Sequence, residues 1–139
     1  YVAINDANQC TIAEKGGIDV ILAAMKQHPD SAGVQQYGCW ALGNVANGKA
    51  TYNDANCRAI AEKGGIEAAF RAMTQHSHHK GVQHLGCFMM YYMVDCESVR
   101  PAIREGKAVM DAARKNFPNN FKIRVFHSRV FNPSKCSIC

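Results

Sequence analysis

The sequence predicts an all-α fold assembled from helical repeats, and three observations carry that reading. The segment AEKGGIDVILAAMKQH at residues 13–28 returns as AEKGGIEAAFRAMTQH at residues 61–76. With residue n set against residue n+48, 20 of the 35 positions from Asn5 to Cys39 are identical, with no insertion or deletion. Within the first copy, Ile18, Ile21, Leu22 and Met25 take the i, i+3, i+4, i+7 spacing of a single apolar helix stripe. No alternating strand pattern with hairpin signals interrupts this. A period of this size with two or three helices per copy belongs to stacked arrays, in which one unit cannot bury its own apolar face and a neighbour must complete the core.

Each copy reads as three helices. In the first copy, a helix over residues 5–15 is ended by Gly16-Gly17, because glycine tolerates the left-handed conformation that a C-cap needs. A second helix over 18–28 is broken by Pro29-Asp30-Ser31. A third, over 33–46, is apolar on more than one side through Val34, Tyr37, Cys39, Trp40, Leu42 and Val45, the pattern of a helix buried between neighbours. A weaker third copy follows at an offset of 43, with Ile103-Arg104-Glu105-Gly106 echoing Ile60-Ala61-Glu62-Lys63. In that register Val109-Met110 falls where Ile66-Glu67 stands, and Ile123, Val125 and Val130 continue the apolar face. The expected organisation is residues 1–48, 49–95 and a degenerate 96–132, then a tail at 133–139.

Composition narrows the classes. The chain has 139 residues, 47% of them hydrophobic, and a formal charge of +5. That suits one folded unit or a few smaller repeats and excludes a disordered tail. No run of about 18 apolar residues is present to span a bilayer. There are seven cysteines. The odd count, and the lack of a charged-then-apolar leader, point to a reducing, intracellular location, cytoplasmic or nuclear. Cys39 and Cys87 occupy equivalent places in the two copies, which reads as small buried residues and not as halves of a bridge. The first residue is Tyr1, so a longer or processed parent chain with further repeats is expected.

The run Glu14-Lys15-Gly16-Gly17-Ile18 followed by Trp40-Ala41-Leu42-Gly43-Asn44 and Val45-Ala46-Asn47-Gly48 resembles the armadillo repeat. Two copies carry the resemblance in register and the third in part. It implies an armadillo-type α-solenoid, a right-handed superhelix of three-helix repeats, whose third helices line a concave groove for an extended peptide, as in importin-α-like and β-catenin-like members. By the same resemblance, Asn44 is expected to hold the peptide backbone and Trp40 to pack beside its side chains. An amide suits the first task because it both donates and accepts. Phe88 stands where Trp40 was and Tyr92 where Asn44 was, while the third copy has Phe131. Trp40, Asn44, Phe88 and Tyr92 are thus the expected partner-binding residues of a scaffold or adaptor. The alternative is a nucleic-acid- or anionic-membrane-binding repeat using Lys107, Arg114, Lys115, Lys122, Arg124 and Arg129 of the basic last third. Those residues lack regularly spaced aromatics, so base stacking is not indicated; neither nucleic acid nor membrane is the expected partner.

Sharper chemical readings weigh less. His76, His78, His79 and His84 cluster, with Cys87 one helix turn after His84, and these are metal-ligand types. Most of the cluster falls in the loop between helices, however, and the spacing matches no standard motif, so a solvated loop is the expectation. Cys136 could be read as a C-a-a-X prenylation site, but Ser137 is not aliphatic. Cys136 and Cys139 form a lone Cys-x-x-Cys with no second pair for a zinc ribbon. Glu14 and Glu62 are equivalents that end a first helix. No nucleophile–base arrangement or phosphate loop stands out. No catalytic residue, metal or cofactor is expected.

Overall fold

The computed structural model of the protein describes residues 6–48 and 50–135. Regular structure among them is helical throughout: α1 (Asp6–Glu14), α2 (Gly17–Gln27), α3 (Ala32–Ala46), α4 (Ala50–Glu62), α5 (Gly65–Gln75), α6 (Lys80–Met93), α7 (Arg100–Glu105), α8 (Lys107–Asn116) and α9 (Phe121–Phe131), then a 3-10 turn at Pro133–Lys135. Cys136 and Cys139, and with them the prenylation and Cys-x-x-Cys readings, lie outside the described residues. No helix among the described residues is long and apolar enough to cross a membrane.

The Gly-Gly pairs serve two separate purposes. Gly16 and Gly64 have φ of 79° and 84°, the left-handed region that glycine enters at no steric cost. Gly17 and Gly65 are needed for space: a Cβ there would lie 2.7 and 2.8 Å from the carbonyl oxygens of Ile12 and Ile60. In the first two units the first helix therefore turns abruptly into the second with backbones in contact. Third helices begin with a side-chain cap in all three units. Ser31 Oγ accepts from Val34 N–H at 3.3 Å, His79 Nδ1 from Val82 N–H at 3.3 Å, and Asn120 Oδ1 from Ile123 N–H at 3.1 Å.

Between the second and third helices, a buried glutamine ties the corner. Gln35 Nε2 donates to the Met25 carbonyl at 2.8 Å and the His28 carbonyl at 2.9 Å. Gln83 does the same to Met73 and His76, at 2.8 and 2.9 Å. Carbonyls at a helix C-terminus have no partner within their own helix, so one amide satisfies two of them at each corner.

The third unit keeps the topology but not the register expected from its sequence. Ile103 is buried like Ile60, 43 residues before it. From α8 onward the equivalents are 41 apart: the C-cap positions are His76 and Phe117, and the N-cap positions His79 and Asn120. Val109-Met110 therefore does not stand where Ile66-Glu67 does. The cause is the turn: the Gly-Gly pair is reduced to Gly106, whose φ of −80° is not left-handed. Met110 and Ala113 accordingly take the buried places of Ala69 and Ala72.

Units stack side by side. The most extensive helix packing is of α3 on α6 and of α6 on α9, with α2 on α5 and α5 on α8 forming a parallel row. Met89, Met90 and Met93 on α6 are fully buried with Leu42, Ile60 and Ile123. Each such side chain contributes about 1.5–3 kcal/mol on leaving water, and unbranched methionines fit the irregular space between units. Polar stitches repeat at the outer corners. Gln75 Nε2 donates to Asp30 at 2.7 Å, and Asn116 Nδ2 to the Ser77 carbonyl at 3.0 Å. Asp19 and Lys63 pair at 2.8 Å across the first two units.

Cys39, Cys57, Cys87 and Cys96 are buried free cysteines. Burial pushes the thiols of Cys39, Cys57 and Cys87 up to about 12, so at neutral pH they stay protonated and behave as small core groups.

Candidate functional site

The α3–α6–α9 row has an inner side and an outer side, and α6 shows how the sequence divides them. Gly86, Cys87, Met89, Met90 and Met93 are buried. His84, Leu85, Phe88, Tyr91 and Tyr92 are only half-buried and lie on the opposite stripe. Two positions let the helices approach. A Cβ at Gly86 would sit 2.4 Å from Met73 Sδ, and one at Gly43 would sit 2.6 Å from the Phe88 ring and 3.2 Å from the Met89 Cα. Small residues at these levels set α6 deep against α5 and α3.

A cleft of about 420 Å³ opens on the outer side. Trp40 of α3 forms one wall and His84, Leu85, Phe88, Tyr91 and Tyr92 of α6 the floor; Phe121, Lys122, Val125 and Phe126 of α9 form the other wall. The rings interlock edge to face: Phe88 and Tyr92 at 4.9 Å between centroids, Phe88 and Phe126 at 6.1 Å, and Tyr91 and Tyr92 at 5.0 Å. His84 stacks on Phe126 at 5.9 Å with an interplanar angle of 6°. Its burial, then the fields of Lys122 and Lys80, hold its imidazole below the usual histidine range, so it is neutral at pH 7. Burial also raises the Tyr92 phenol. Around this interlocked floor the outer rings are open: Trp40 is 38% exposed, Tyr37 60% and Phe121 63%.

Of the residues expected at a partner-binding face, Trp40, Phe88 and Tyr92 come together in this cleft. Asn44 does not. It is 8% exposed and does not line the cleft. One residue earlier, Gly43 lets α6 lie close to α3. Phe131 does not take the place of Trp40 and Phe88 either; it packs against His127 at 5.0 Å and under the Lys107 ammonium at 5.5 Å. The third unit's aromatics in the cleft are Phe121 and Phe126.

The histidine cluster disperses. His76 Nε2 meets the Pro29 carbonyl at 2.8 Å, His79 caps α6, His78 is exposed, and His84 stacks in the cleft beside a fully buried Cys87. Among the described residues, no three His, Cys, Asp or Glu side chains gather as metal ligands would. Glu14 and Glu62 are exposed near the ends of α1 and α4. Of the basic last third, Lys107 pairs with Asp111 at 2.5 Å and Arg129 with Asp95 at 2.7 Å. Asp111 also receives His127, and these contacts, that with Lys107 foremost, hold its carboxyl below the usual range.

No family model matches the chain, and no solved structure does. Over 40 residues, 29% of this chain, it is 55% identical to Protein aardvark of Dictyostelium discoideum. That stretch is 5% of the relative's own length, so the similarity carries neither a family nor a function for the whole.

Proposed function

We propose that the chain is part of an armadillo-type solenoid, a right-handed superhelix of three-helix repeats, and that the outer side of its third helices binds an extended peptide or protein segment. It acts as a scaffold or adaptor surface without chemistry of its own. The observation supporting this most directly is the convergence of Trp40, Phe88 and Tyr92 with Phe126 in one open cleft running across three successive units. Large aromatics in a partly desolvated cleft are the side chains that supply most binding energy at interfaces. The row of third helices is held by the most extensive packing in the molecule, so the cleft is pre-organised and binding need not order it. Asn44 has no role as an open amide in this reading, and ligand contact falls to the rings. The basic-surface alternative is weaker, because Lys107 and Arg129 already have carboxylate partners.

The test starts with a peptide selected by the chain from a random display library. Trp40→Ala should weaken its binding by about 1.4–3 kcal/mol, tenfold or more, as removal of an interface aromatic does. Phe121→Ser, at a still more exposed ring, should weaken it with an unchanged melting curve. Val20→Ala, on α2 outside the cleft, should do nothing. Wild-type affinity in both aromatic variants would remove the cleft from the binding surface.

A further inference from the structure

The three helices that build the cleft contain no carboxylate. The sequences of α3, α6 and α9 hold neither Asp nor Glu, although acidic residues occur on α1, α2, α4, α5, α7 and α8. The same three helices carry Lys80, Lys122, Arg124 and Arg129, in a chain whose formal charge is +5. Asp95, just after α6, is held by Arg129 at 2.7 Å. Among the described residues, no ion pair occupies Lys80, Lys122 or Arg124. Lys122 lines the cleft itself, and the fields of Lys122 and Lys80 reach His84 on its floor.

From this charge pattern we infer that the occupant of the cleft is an acidic peptide segment, with bulky apolar side chains seated among Trp40, Phe88 and Phe126 and carboxylates alongside Lys80 and Lys122. The inference rests on the peptide-binding reading of this face and adds the ligand's chemistry to it. An apolar wall alone would accept any hydrophobic segment. A wall with a cationic rim and no anion attracts a negatively charged segment and repels a basic one, which costs affinity when like charges are brought together.

Single-stranded nucleic acid is the other polyanion that such a rim would attract, but it binds by stacking bases on open ring faces. Here His84 covers Phe126, the Arg129 guanidinium lies 5.6 Å from the Tyr91 ring centre, and Phe88 and Tyr92 pack edge to face on each other. The floor therefore offers crevices for side chains, and open rings for stacking stand only on the walls, at Trp40 and Phe121.

The experiment is a selection of random twelve-residue peptides on the whole chain, run in parallel on the wild type and on a Lys80→Glu/Lys122→Glu double variant. Both lysines are exposed, so the variant should fold as the wild type does. The wild type should enrich peptides of net negative charge that carry aromatic or aliphatic residues. A fluorescein-labelled peptide from that pool should bind the double variant about tenfold more weakly or worse, with a flatter salt dependence, as expected when charges at the rim are reversed. A wild-type pool that is neutral or basic, yet is lost on Trp40→Ala, would overturn the acidic ligand and leave the peptide cleft standing. No enrichment, or a pool indifferent to Trp40 and to both lysines, would overturn the two together. Labelled oligothymidylate that outcompetes every selected peptide for the cleft would overturn the inference in favour of single-stranded nucleic acid.

Discussion

Replacing Gln83 with leucine should lower the stability of the chain by about 2–4 kcal/mol, since two helix-end carbonyls lose their donor at once and each orphaned group costs about 1–3 kcal/mol. The side chain is 1% exposed, and both its bonds are short, at 2.8 and 2.9 Å. Leucine fills much the same space, so the loss reports hydrogen bonding and not a cavity. It falls on the corner between α5 and α6, in the middle unit on which the other two stack. The readout is the urea midpoint followed by helical circular dichroism. A midpoint within error of the wild type would mean that water or a shift of α6 satisfies the Met73 and His76 carbonyls.

Gly65→Ala should cost about 3 kcal/mol, the upper part of the range for overpacking a filled site. Its Cβ would stand 2.4 Å from Ile60 Cγ2 and 2.8 Å from the Ile60 carbonyl oxygen, and the second of these is backbone that a side-chain rotation cannot relieve. Gly33→Ala is the matched control. Nothing but Ser31 Oγ, at 3.9 Å, lies near its Cβ, and its φ is not in the left-handed region. That change should stabilise by about 0.5 kcal/mol, because alanine has less freedom to lose than glycine on entering a helix. Thermal melts of the two variants should therefore move in opposite directions. A Gly65→Ala melt that matches the wild type would show that α4 and α5 meet less closely than the Gly-Gly turn implies.

Much of the fold was legible because the sequence states it twice. The helix limits read at 5–15, 18–28 and 33–46 lie within one or two residues of α1, α2 and α3. The left-handed Gly16 and the buried twins Cys39 and Cys87 follow from repetition and local chemistry. The third unit was harder for a physical reason. Its turn keeps one glycine in place of two, and its caps are chemically unlike the earlier ones: Phe117 for His76 and Asn120 for His79. A register of 43 carried through to α9 sets Phe126 against buried Gln83 and Phe131 against Phe88. The true spacing of 41 sets Phe126 against Leu85 instead, on the cleft.

The candidate site was legible where it depended on ring-bearing positions and illegible where it depended on helix separation. Phe88 and Tyr92 share a face by their spacing of four, and the repeat sets Phe88 where Trp40 stands. How near α6 comes to α3, which Gly43 permits, no single helix reveals. The buried role of Gln35 and Gln83 had a usable signal: the same polar residue in both copies, in the first two turns of an apolar helix and seven residues after the C-cap histidine.

Trp40 is the only tryptophan in the chain, and it stands on the wall of the cleft. Its emission therefore reports directly on whether the third-helix face is the binding surface. On titration with a peptide selected by the wild-type chain, the emission should shift to the blue and acrylamide quenching should fall, both saturating with the binding curve as the ligand covers the ring. Saturable binding that leaves the Trp40 emission maximum and its quenching unchanged would place the ligand elsewhere and contradict the account.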